Sequence, residues 1–285
     1  MNMFKTMMSA AGILLLAGSL AAQIEVGNND KIAFLGDSIT WYGNVYATGY
    51  VNLVMSGLEA NEIHAEKIPA GIGGHTSVQM LERLERDVLD KKPQIMILSC
   101  GVNDVGPSKH DVPLPDYKKN ITAIVEKAQS AGIKVCILTA TMVGEDPNHS
   151  NNVKLSAYND FLRELAKEKK CLLADLNAEM QQSLKSFKSA HPKAKGNLLT
   201  IDGVHMNPCG DIMMAKGVLR AFGLKDEQIS KVETDWKKLK GKIGELRLSS
   251  GDLQKLAIRA ADSGMTISDY AAYLITNAIS TEDQK

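Results

Sequence analysis

The chain lacks net charge: across 285 residues, 33 Lys and Arg balance 33 Asp and Glu. That leaves no basic field to hold nucleic acid and no acidic one to gather cations. It also lacks an apolar run long enough to span a bilayer comfortably, since Ala10 to Ala17 falls short of the roughly 20 residues required. Lys5 precedes that run, and small residues follow it at Ser19, Ala21 and Ala22. This is the anatomy of a secretory signal peptide spanning residues 1–22. Leu16-Ala17-Gly18 resembles the start of a lipoprotein signal, but Ser19 stands where the lipidated cysteine would be. The expectation is export to the periplasm or beyond, with no lipid and no stable membrane anchor.

Cysteine is scarce. Cys100, Cys136, Cys171 and Cys209 are far apart and form no C-x-x-C, so metal-type spacing is absent. Cys100 and Cys136 lie inside apolar strand patterns and read as buried free thiols. An oxidising compartment would permit a disulfide, and the sequence leaves its pairing open. The glycine-rich stretch Ala70-Gly71-Ile72-Gly73-Gly74 has neither P-loop nor dinucleotide-fingerprint spacing.

Against these absences stand five short apolar runs that read as strands: Ile32 to Leu35, His64 to Pro69, Gln94 to Cys100, Ile133 to Thr139 and Cys171 to Asp175. Helical spacing occurs between them. It falls on Val51, Val54, Met55 and Leu58; on Val78, Leu81, Leu84 and Val88; on Ile121, Ile124, Val125 and Ala128; and on Leu155, Tyr158, Phe161, Leu162 and Leu165. Alternation of this kind predicts an α/β fold with a parallel sheet covered on both faces. Five strands suggest a three-layer, doubly wound, flavodoxin-like sheet in the order 2-1-3-4-5, with the first and third strands adjoining.

Four stretches carry polar chemistry, three at the ends of these runs and one well after the last of them. In Phe34-Leu35-Gly36-Asp37-Ser38-Ile39-Thr40 a buried strand stops and presents Ser38 as a helix opens. A serine there aims its hydroxyl at the crevice beyond the sheet's carboxyl edge and keeps an unpaired first-turn N–H. In isolation, Asp-Ser reads only as a helix cap. Trp41 and Tyr42 read equally as walls of a pocket or as core. Gly73 and Gly74 sit before Thr76 and Gln79, whose spacing is a capping box, so an N–H in that loop can face an anion. Asn103, in Gly101-Val102-Asn103-Asp104, ends the third run and either donates its side-chain N–H into the crevice or forms a simple Asx-turn. Asp202 and His205, in Asp202-Gly203-Val204-His205, can place a carboxylate behind an imidazole. Histidine suits the role of a base near neutral pH. Gly144 to Asn152 is polar and turn-rich, a loop able to overhang the crevice.

The four stretches in this order resemble the SGNH hydrolases, the GDSL esterase/lipase family, over roughly residues 31 to 222. By that resemblance Ser38 is the nucleophile and His205 the base, oriented by Asp202. The oxyanion hole is formed by the N–H groups of Ser38 and Gly74 and the side chain of Asn103. Gly73 competes with Gly74, which is preferred because it precedes His75-Thr76-Ser77. Ile39 replaces the family's eponymous leucine. No G-x-S-x-G is present, which argues against the α/β-hydrolase class. The resemblance implies a serine esterase working through an acyl-enzyme, without metal or organic cofactor. Segments such as Leu81-Glu-Arg-Leu-Glu-Arg-Asp-Val and Val112-Pro-Leu-Pro-Asp-Tyr are similar to exported bacterial carbohydrate O-acetylesterases. The substrate expected is therefore a small ester or an acetylated saccharide. The alternatives are a lysophospholipase or thioesterase, and a catalytically silent carbohydrate-binding member.

The hydrolase domain is assigned to residues 23–224 and a mostly helical extension to 225–285. The extension opens with Ile229, Val232, Trp236 and Leu239 at helical spacing. A strand-like alternation from Ile243 to Leu248 follows, then two amphipathic stretches, Gly251 to Ala261 and Thr266 to Ile279. This pattern resembles a ribbon–helix–helix module, which leaves two readings open: a flap on the catalytic domain, or a joint that makes a homodimer.

Overall fold

The structure, a computed structural model, describes residues 24–106, 111–240 and 250–282. The expected signal peptide and the expected strand from Ile243 to Leu248 lie outside the described residues. The chain forms two compact units, Met1–Lys242 and Ile243–Lys285.

In the first unit five strands form one parallel sheet: β1 (Lys31–Gly36), β2 (Glu66–Gly71), β3 (Ile95–Ser99), β4 (Lys134–Leu138) and β5 (Leu172–Ala174). Their order is β2-β1-β3-β4-β5, the doubly wound order expected. The register sets Gly36 beside Gly71 and Leu35 beside Leu98, so β1, β2 and β3 end level with one another. β3 is buried along its whole length and β4 at all but Lys134, as strands covered on both faces must be.

The helices of this unit are α1 (Ser38–Val45), α2 (Tyr50–Glu59), α3 (Ser77–Asp87), α4 (Leu114–Ser130), α5 (Ser150–Glu168), α6 (Leu176–Ala190), α7 (Pro208–Ala221) and α8 (Asp226–Trp236). α3, α4 and α5 pack side by side over one face of the sheet, while α2, α7, α6 and α8 form the other layer. Residues 38–58 are two helices, because the Asn52 side chain donates to Asn44 O and Tyr46 O, both at 2.8 Å, and closes the first.

The stripe predicted for α3 holds at Leu84 and Val88, with Leu81 half-buried, but Val78 is exposed while Met80 and Arg83 face inward. Arg83 does so because its guanidinium donates to Ala70 O and Gly36 O, both at 2.8 Å, carbonyls at the ends of β2 and β1. Asp87 accepts from it at 3.0 Å.

Residues beyond Leu224 belong partly to this unit. Ile229, Val232 and Trp236 of α8 are buried in its core, and Trp236 Nε1 donates to Ser56 Oγ at 2.8 Å. The compact unit therefore continues past the expected boundary to Lys242. The second unit consists of α9 (Ser250–Asp262) and α10 (Ile267–Glu282), packed on one another across the turn at Ser263-Gly264. Thr266 Oγ1 accepts the Asp269 N–H at 3.1 Å and so caps α10.

Candidate active site

The crevice lies where β1 and β3 adjoin and their following segments diverge. β1 ends at Gly36, and Asp37 takes the capping position of α1, its Oδ1 accepting the Ile39 N–H at 2.9 Å. Ser38 is therefore not the cap. It is the first helical residue, its hydroxyl free for other partners and its N–H without a helical carbonyl to meet. Burial pushes the Asp37 carboxyl up to about 7, against the pull of the Ile39 N–H.

The expected residues converge on this point. His205 Nε2 lies 2.8 Å from Ser38 Oγ, across 167 positions of sequence. Asp202 Oδ2 lies 2.7 Å from His205 Nδ1, while its Oδ1 accepts the N–H groups of His205 at 2.8 Å and Val204 at 3.0 Å. One carboxylate thus fixes both the ring and its backbone. Burial raises the Asp202 carboxyl, but the hydrogen bonds from His205 and Val204 outweigh it and hold the group below the ordinary carboxylate range. Between the two residues Gly203 has φ 97°, a conformation that a side chain would strain.

Asn103 stands opposite. Its Nδ2 donates one hydrogen to His75 O at 3.0 Å, and an amide carries a second. Asp104 is buried behind it and accepts the Ser77 N–H at 2.9 Å, tying the β3 loop to the start of α3. Gly73 and Gly74 both line the cleft, and Gly74 has φ 75° in the turn closed by the His75 N–H on Ile72 O. Arg83 Nε donates to His75 Nδ1 at 3.2 Å, so the same guanidinium that caps two strands also steadies this turn. Burial, followed by the Arg83 charge, lowers the His75 pKa.

The cleft has a volume of about 520 Å³ and is walled by Trp41, Tyr42 and Val204. Trp41 is 44% exposed, and the Tyr42 ring meets His205 edge-on with centroids 4.9 Å apart. Of the two readings these aromatics allowed, they are walls. Cys100 and Cys136 are buried free thiols, and Cys171 and Cys209 are free as well.

The polar stretch from Gly144 to Asn152 enters α5 at Ser150, and its loop part acts as a support. The Gly144 N–H donates to Gly203 O at 2.6 Å. The buried Glu145 carboxylate accepts the N–H groups of Leu198, Leu199 and Thr200 at 2.6–2.8 Å, together with the Thr200 hydroxyl at 2.8 Å. Thr200 Oγ1 in turn accepts the Gly203 N–H at 3.1 Å. Glu145 thus holds the segment that carries Asp202 and His205. Sequence reasoning missed it, as it missed Arg83, because a lone acid in a polar loop gives no sign that it is buried.

Comparisons with known proteins bear on the family of the chain. The profile of the GDSL-like lipase/acylhydrolase family matches residues 34–210. An acetylxylan esterase of Geobacillus stearothermophilus is 25% identical, over 71% of this chain and 98% of its own length. Its solved structure superposes with a TM-score of 0.62. The crystal structure of the acetyl xylan esterase AlAXEase is 32% identical, with a TM-score of 0.61, and the match covers 67% of this chain and 98% of that one. An uncharacterized lipoprotein, YqeF of Bacillus subtilis, is 27% identical over 71% of this chain and 90% of its own. The chain belongs to the GDSL-like lipase/acylhydrolase family, the SGNH hydrolases, and is a carboxylic ester hydrolase.

Proposed function

We propose that the enzyme removes short acyl groups, chiefly acetyl, from a saccharide, using Ser38, His205 and Asp202. The observation that carries this reading is the unbroken chain Ser38 Oγ to His205 Nε2 to Asp202, at 2.8 and 2.7 Å, at the floor of an open cleft. His205 takes the hydroxyl proton as Ser38 Oγ attacks the ester carbonyl. The tetrahedral oxyanion is held by the N–H groups of Ser38 and Gly74 and by the second Nδ2 hydrogen of Asn103. His205 then gives its proton to the departing alcohol, and the C–O bond breaks to leave acyl-Ser38. Water, deprotonated by His205, attacks that ester and releases the acid. Asp202, held ionised, fixes the ring and stabilises the imidazolium.

The saccharide is supported by the relatives named as acetylxylan esterases and by the walls of the cleft. Trp41 and Tyr42 offer flat faces to sugar rings, and Val204 is the one aliphatic side chain among the described residues that line the cleft. Export is supported by the pattern of Met1 to Ala22 and by the relative named as a lipoprotein.

Turnover of 4-nitrophenyl esters of graded length, with acetate release from acetylated polysaccharides, tests the reading. Ser38→Ala and His205→Ala should each lower kcat by several orders of magnitude, and Asn103→Ala by roughly 10²–10³. Near-normal turnover by Ser38→Ala would sink the mechanism. Higher kcat/KM for octanoyl than for acetyl esters would replace the saccharide with a lipid or thioester substrate.

A further inference from the structure

A second and larger concavity, about 790 Å³, opens on the same unit and shares no residue with the Ser38 cleft. It lies between α6, the loop after β4 and Arg163 of α5. Met142, Pro147, Ala178 and Leu184 contribute apolar surface, and Gln181 and Gln182 bring amides to it. Lys185 and Lys188 add ammonium groups.

The charge here is unlike that of the rest of the chain. From Met180 to Ile201 there is no Asp or Glu, while Lys185, Lys188, Lys193 and Lys195 fall within this stretch of a protein with zero net charge. Cations near the end of a helix are favoured by its free carbonyls, which accounts for Lys188 in the last turn of α6 but not for the others. Arg163 is committed to Asp160 and Asp175. Lys188 Nζ donates to Glu145 O at 3.2 Å and keeps two hydrogens. Among the described residues Lys185 has no hydrogen bond or ion pair to answer its charge. Carboxylate ligands are what such a rim attracts.

We propose that this cavity is a subsite for an acidic saccharide, with the carboxylate of a uronate residue between Lys185 and Lys188. The C–H face of the ring lies on Met142 and Leu184, and the glutamine amides meet its hydroxyls. The inference rests on the saccharide reading above, since the ligand is a neighbouring part of the polymer that offers its ester at Ser38. Glu145 links the two places: it lines the cavity and also holds the segment carrying Asp202 and His205.

Titration calorimetry on the full chain tests this without any ester. The probes are a glucuronate-bearing xylo-oligosaccharide without acetyl groups and the same oligosaccharide with its carboxyl reduced to the alcohol. The acidic probe should bind at least about fivefold more tightly, and raising salt to about 0.5 M should erase the difference. The double variant Lys185→Glu/Lys188→Glu should lose the preference. Lys185→Glu alone, which leaves the Lys188 contact to Glu145 intact, should lose most of it, with folding of both variants checked by thermal melting. Equal binding of the two probes, binding of neither, or a preference that survives in Lys185→Glu would each overturn the subsite. Failure to release acetate from saccharides would instead sink the function proposed above and leave this titration readable.

Discussion

Asp211 accepts the Tyr50 N–H at 2.9 Å from a position almost closed to water, and burial pushes its carboxyl from 3.8 to about 7. A carboxyl raised in this way holds its proton more tightly folded than unfolded. Its contribution to stability therefore falls as pH rises from about 4 through about 7. Asp211→Asn keeps an oxygen for Tyr50 and removes the buried charge. Urea unfolding should find that variant more stable at pH 8, by on the order of 2 kcal/mol, with the advantage gone below about pH 4. A variant less stable at pH 8 would mean that the carboxylate has a stabilising partner. Ser38 and Asn103 were legible because each stands just past an apolar run, where a polar residue faces the crevice whatever else it does, and Asp202 and His205 because a carboxylate and an imidazole stand three apart across a glycine. Asp211, Arg83 and Glu145 were not, since burial of a charged side chain depends on carbonyls and N–H groups far away in sequence.

Among the elements, α3 carries the largest departure from its pattern. Apolar periodicity assigns an arginine to the outer face, yet Arg83 lies inside, 5% exposed, bonded to the ends of two strands and to His75. Arg83→Met fills a similar volume but leaves Ala70 O, Gly36 O and the Asp87 carboxylate without that donor. Chemical denaturation should show a loss of about 3 kcal/mol, and ester turnover should fall with it because the Gly74 turn loses its support. A loss below about 1 kcal/mol would show that water replaces the guanidinium without cost. The strands and α4 and α5 were read within a few residues, because each has one clear apolar period. α7 was not read as a helix. Met213, Met214, Ala215, Val218 and Leu219 are all buried, so it has little polar stripe against which a period could show.

At the scale of the whole molecule, the sheet order followed from counting strands, whereas the end of the first unit did not. α8 has the charged look of an appendage, and only its packing on α2 and α7 shows where it belongs. A chain ending at Leu224 should therefore melt well below the full-length protein or fail to stay soluble, while one ending at Lys242 should keep its melting point and ester turnover. Equal stability of the two truncations would contradict the packing of Trp236. Sedimentation of the full chain beside the one ending at Lys242 tests the homodimer joint left open by the sequence: a dimer that becomes a monomer on truncation supports it, and a full-length monomer excludes it. The 167 positions between Ser38 and His205 have a further consequence, for timing. A ribosome has already released the serine, its strand and most of the sheet before the histidine is made, so every shorter nascent chain is hydrolytically silent. After dilution from denaturant, ester turnover should return no earlier than the far-ultraviolet helix signal, because it reports the closing of a long loop rather than the growth of local structure. A chain that crossed a membrane unfolded would therefore arrive with its chemistry still unarmed.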